Sequence, residues 1–168
     1  MTKWIALSSA WLFCLGTASP AIAKVEPYQV MIGGAAMSCL NWRGEPVRVL
    51  SNPSISTLGR AYSTSNGKAV IELNPFAMES FSPNVQQWWF AHECAHHELP
   101  PQLNSEKRAD CMAAKRVKHM PGGAEAIRAG AFQREFKSLH SSAMGHLSGP
   151  ERARLVMKCA GVAATAIV

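Results

Sequence analysis

Apolar residues in this 168-residue chain fall into runs whose period changes along its length. The first run, Trp4 to Gly16, follows Met1-Thr2-Lys3 and precedes Thr17-Ala18-Ser19-Pro20-Ala21-Ile22-Ala23, so the charged, apolar and small-residue parts of a secretory signal stand in order. The run is shorter than the roughly 20 apolar residues that span a bilayer. Cleavage after Ala23 is therefore expected, leaving residues 24–168 as one exported domain, periplasmic or secreted and without membrane insertion. The bulky Trp11-Leu12-Phe13 before Cys14 argue against lipid attachment there.

Val47-Arg48-Val49-Leu50 and Ala69-Val70-Ile71-Glu72-Leu73 read as short strands separated by a stretch rich in Ser, Asn, Gly and Pro. Ser82-Pro83 then supplies an N-cap and a first-turn proline, which predicts a helix over Pro83–Glu98. Val85, Trp88, Trp89, Phe90, Ala91 and Ala95 cover all its sides, as expected of a helix at the centre of a domain. Pro100-Pro101 stops it, and Asn104 or Ser105 can cap a second helix running from Glu106 to about His119. Beyond Pro121-Gly122-Gly123 the pattern predicts a third helix over Ala124–Leu139. Ser148-Gly-Pro-Glu151 offers a capping box for a last helix ending near Cys159. The class expected is α+β: a small antiparallel sheet packed on a helix pair, with two further C-terminal helices.

Composition narrows the function. With 48% hydrophobic residues the chain can build a core, which excludes a highly charged disordered protein. The net charge of +6 is carried by Lys and Arg spread without aromatic interleaving, so no nucleic-acid partner is expected. The oligomeric state is left open. Without Cys14 the cysteines are Cys39, Cys94, Cys111 and Cys159, an even set in an exported chain, which predicts two disulfides. Three pairings are possible, of which Cys94 with Cys111 is favoured.

The chemistry centres on His92-Glu93-Cys94-Ala95-His96. At about 100° per residue, His92 and His96 stand one helical turn apart, where both imidazoles reach one metal ion, and Glu93 borders the same face. Across the short turn, Glu106 lies in the first turn of the next helix and can converge on that ion. Asp110, four residues on, can accept the outer N–H of a ligating histidine. His97 points about 100° away from His96, and Cys94 about 200° from His92; packing and a disulfide are the expected roles. His119 and His140 are read, like His97, as packing or surface hydrogen-bonding side chains, and Trp88 and Trp89 as core.

H-E-x-x-H followed by Glu106-Lys-Arg-Ala109-Asp110 resembles the pair of motifs in gluzincin peptidases, in the branch that includes the CAAX prenyl proteases. Gly145-His146-Leu147-Ser148-Gly149-Pro150-Glu151-Arg152 is similar to a third motif of that family, and the likeness covers roughly Ile71 to Cys159. The resemblance implies a zincin-type helix pair and a Zn2+ ion held by His92, His96 and Glu106. It also implies Glu93 as general base, His146 or Arg152 near the site as a gate or transition-state contact, and the strand at Val70–Leu73 as the edge lining the substrate cleft. The expected activity is zinc-dependent endoproteolysis of peptide or protein substrates. The alternative is a non-catalytic zinc-binding or disulfide-stapled envelope module with a binding or quality-control role.

Overall fold

A computed structural model describes residues 28–142 and 145–163. The expected signal segment and its cleavage point lie outside the described residues. Among the described residues no helix is long and apolar enough to cross a membrane.

The class is α+β, as the patterning implied. Strands β1 (Val30–Ile32) and β2 (Ala35–Met37) form a hairpin whose turn, Gly33-Gly34, has two positive φ angles of 53° and 76°. Two such residues give the turn twist that suits adjacent strands. Gly33 also has no room for a side chain, because a Cβ would lie 2.3 Å from the Pro83 carbonyl oxygen.

Strands β3 (Arg48–Ser51), β4 (Gly59–Ser63) and β5 (Ala69–Leu73) form a second sheet in the order β3-β5-β4. This sheet is mixed rather than wholly antiparallel: β5 pairs antiparallel with β4 but parallel with β3. The cause is topological, since β3 and β4 form a wide hairpin and β5 inserts between them. Strand β5 is therefore central and buried along its whole length, and the cleft edge expected at Val70–Leu73 is instead β4. β4 arises from the Ser- and Gly-rich segment that reads as loop. On the outer face of the sheet, Glu72 accepts hydrogen bonds from Asn52 (2.8 Å) and Arg60 (2.5 Å).

A short helix, α1 (Pro75–Met78), leads to α2 (Pro83–Glu98), whose bounds are those that Ser82-Pro83 and the downstream prolines predict. Trp88, Phe90 and Val85 on α2 are fully buried, together with Ile71 of β5 and Val47. A single 3-10 turn (Pro101–Leu103) connects α2 to α3 (Glu106–Lys118), where Ser105 Oγ accepts the Arg108 N–H.

The expected third helix is two. α4 (Gly123–Arg128) and α5 (Ala131–Phe136) are separated at Gly130, whose φ of 77° is left-handed and ends the α-helical run. The break turns Phe132 and Phe136 into the core beside Trp88. α6 (Gly149–Ala160) starts at the Ser148/Glu151 capping box.

Both disulfides form, but not in the favoured pairing. Cys39 joins Cys94, and Cys111 joins Cys159. Cys94 faces the segment after β2 rather than α3, because α3 packs on the opposite face of α2, the one carrying His92 and His96.

Candidate metal centre

The α2–α3 hairpin brings His92, His96 and Glu106 together so that one donor atom from each lies within 4.8 Å of the others. The individual separations are tighter. His92 Nε2 is 3.2 Å from His96 Nε2 and 3.3 Å from Glu106 Oε2, and His96 Nε2 is 3.4 Å from Glu106 Oε1. A tetrahedral ion with bonds of about 2.0–2.1 Å holds neighbouring ligand atoms roughly 3.3 Å apart. Two imidazole nitrogens and a carboxylate at this spacing therefore fit a small divalent metal ion.

Each histidine is oriented by a partner on its other nitrogen. His92 Nδ1 donates to Asp110 Oδ1 at 2.9 Å, the contact that the spacing of Glu106 and Asp110 predicts. His96 Nδ1 donates to Asn104 Oδ1 at 2.8 Å, and Asn104 Nδ2 donates back to the His96 carbonyl oxygen. Both rings thus turn Nε2 towards the shared point. Asn104, which reads in the sequence only as a possible helix cap, is a support of the site that sequence reasoning missed. Its place inside the short turn between His96 and Glu106 is the signal that could have found it.

Glu93 is buried against β4 yet borders the same cleft. Burial pushes its carboxyl above the ordinary glutamate value, against the pull of the nearby His92 and His96. Room for it is made by Gly59, where a Cβ would come within 3.1 Å of Glu93 Cγ and 2.9 Å of Leu73 Cδ2. The cleft has a volume of about 710 Å³ and runs between β4 with the preceding 54–57 loop and the metal-facing side of α2.

His146 reaches the centre: its Nε2 lies 2.8 Å from Glu106 Oε2, and its Nδ1 is 2.8 Å from Ser142 Oγ. Burial works against the Glu106 carboxylate, but hydrogen bonds from His146, His92 and His96 outweigh it and hold the group well below the usual carboxylate range.

Arg152 does not line the cleft, so a direct contact with a reacting substrate is not where the fold places it. It is buried beneath His92, with Nε 2.9 Å and Nη2 2.8 Å from Asp110 Oδ1 and its guanidinium 5.0 and 4.8 Å from the ring centroids of Trp88 and Trp89. Its Nη2 also comes within 3.2 Å of His92 Nε2. Burial would raise the Asp110 carboxyl, but hydrogen bonds to His92 and Arg152 outweigh that and keep it below the ordinary aspartate value.

His97 is buried, with Nε2 donating to the Val70 carbonyl oxygen at 2.9 Å; its burial lowers its pKa, and it takes no part in the centre. Trp88 and Trp89 are core, Trp88 stacking on the His92 ring. His119 and His140 are exposed. Compared with protein-family models, with curated proteins and with solved structures, the chain finds no match.

Proposed function

We propose that this protein is an exported zinc-dependent endopeptidase, released from its signal near Ala23. The observation that carries the reading is the convergence of His92, His96 and Glu106, with both outer ring nitrogens anchored, on the floor of a cleft that Glu93 also borders. Two imidazoles and one carboxylate are the donor set of a catalytic zinc site, which keeps one position for water. The chemistry a zinc ion supplies when bound at such a site is activation of water and polarisation of a carbonyl.

The chain's own residues supply the rest. Glu93 takes a proton from the attacking water and delivers it to the departing amine; a carboxyl with a raised pKa is suited to both transfers. Asp110 and Asn104 hold the two imidazoles in the tautomer whose Nε2 is unprotonated. The edge of β4, unpaired among the described residues, offers backbone groups to an extended peptide lying along the cleft, in place of the strand at Ile71–Leu73.

The test is the metal content of the chain from Lys24 onward, beside His96→Ala, Glu106→Ala and Glu93→Gln, with hydrolysis of a quenched peptide mixture measured in parallel. One zinc per chain is expected in the wild type and in Glu93→Gln. Metal should be lost or greatly weakened in the other two, and hydrolysis should be confined to the wild type. Undiminished hydrolysis by Glu93→Gln would refute its role as base, and a protein that takes up no zinc would end the peptidase reading.

A second reading, a non-catalytic zinc-binding or disulfide-stapled envelope module, draws on one contact: His146 on Glu106, which brings a further side chain to the ligand set. Bound zinc without hydrolysis, in both the wild type and His146→Ala, would favour it.

A further inference from the structure

Beyond His92, His96 and Glu106 the cleft continues. Ser63, His96, His97 and Asn104 line both the main cleft and a second cavity of about 370 Å³, whose far side is formed by the 41–45 loop, Leu99 and Pro101. Trp42 stands there. Among the described residues it is the one tryptophan that faces solvent, at 48% exposure, whereas Trp88 and Trp89 are buried.

Its position is fixed. The Trp42 N–H donates to the His97 carbonyl oxygen at 2.8 Å, tying the loop to the end of α2. Asn41 Oδ1 accepts the N–H groups of Arg43 and Glu45, each at 2.9 Å, and Cys39 anchors the loop's start to Cys94. The Arg43 guanidinium covers one face of the indole, 4.6 Å from its centroid. An exposed aromatic ring already ordered by its loop binds a partner with little further cost in conformational freedom.

Resting on the peptidase reading above, we infer that this cavity, in which Trp42 stands among mainly polar side chains, is a subsite for an aromatic side chain of an extended peptide substrate. β4 runs from Gly59, beside Glu93, to Ser63, at the mouth of the cavity. A peptide adding antiparallel to the free edge of β4 runs the other way, so the subsite receives a residue on the N-terminal side of the scissile bond. Gly59 and Ser63 are about 14 Å apart along the strand, four residues at roughly 3.4 Å each.

The experiment uses zinc-loaded Glu93→Gln protein and a blocked octapeptide of alanine and serine, with phenylalanine placed at each position in turn. Binding is read by calorimetry. Phenylalanine at one or two positions in the N-terminal half is expected to tighten binding by about tenfold. A further Trp42→Ser change should abolish that gain, and Trp42→Phe should keep most of it. A series in which phenylalanine matters nowhere, a gain that survives in Trp42→Ser, or no binding by any peptide each overturns the subsite. Digestion of the same peptides by the wild-type enzyme separates the two ideas. Cleavage indifferent to phenylalanine removes the subsite alone. Phenylalanine-dependent binding with no cleavage removes the peptidase reading and leaves a peptide-docking pocket.

Discussion

Asp110 and Arg152 each occupy a position that an apolar residue would normally hold. Asp110 shares the buried stripe of α3 with Ala113 and Val117, and Arg152 that of α6 with Val156 and Ala160. Two opposite charges buried on facing helices are stable only as a pair, and here the pair also orients His92. Asp110→Ala is expected to destabilise the metal-free protein by about 3–5 kcal/mol, because it strands the Arg152 charge. In protein that still folds it should weaken metal binding 10–100-fold. Denaturant unfolding in chelator and metal competition measure the two effects separately; a loss of metal affinity alone would show that Arg152 finds another partner. His92, Glu93 and His96 were legible in the sequence because helical spacing alone groups them, and Glu106 and Asp110 because a short proline-marked turn folds the next helix back on them. The role of Arg152 was not, since it depends on where α6 lands.

Helix α2 was legible from end to end because its boundaries are local: Ser82-Pro83 opens it and Pro100-Pro101 closes it. The α4–α5 break was not, because Ala124 to Leu139 carries an acceptable helical pattern and only the left-handed Gly130 interrupts it. A measurement separates the two descriptions. Within a continuous helix Gly130→Ala would stabilise by roughly 1 kcal/mol, whereas at a φ of 77° it should destabilise by about 1 kcal/mol. Thermal or denaturant unfolding gives the sign directly. β4 escaped for another reason: Gly59 and Ala61 are poor strand formers. They serve there because a small face lets α2 approach the strand and leaves space for Glu93. The feature that weakens the strand signal is the one that the cleft needs.

At the scale of the molecule, the two disulfides close separations of 55 and 48 residues. In the chain-entropy model each is worth about 4 kcal/mol. Their placement carries a further consequence for how the chain withstands backbone cleavage. A backbone cut in the loops between residues 39 and 94, or anywhere between 111 and 159, leaves the fragments covalently joined. Between Cys39 and Cys159 only residues 95–110 lie outside both closed loops, and this stretch, the end of α2, the turn and the start of α3, carries His96, Asn104 and Glu106. Proteolytic cuts within either closed loop of the folded protein should therefore release fragments only after reduction, read by comparing non-reducing and reducing gels. A nick at 99–105 would part the chain and the candidate metal ligands in the same event, so the Pro100-Pro101 turn and the Asn104 clamp guard the link between the two closed loops.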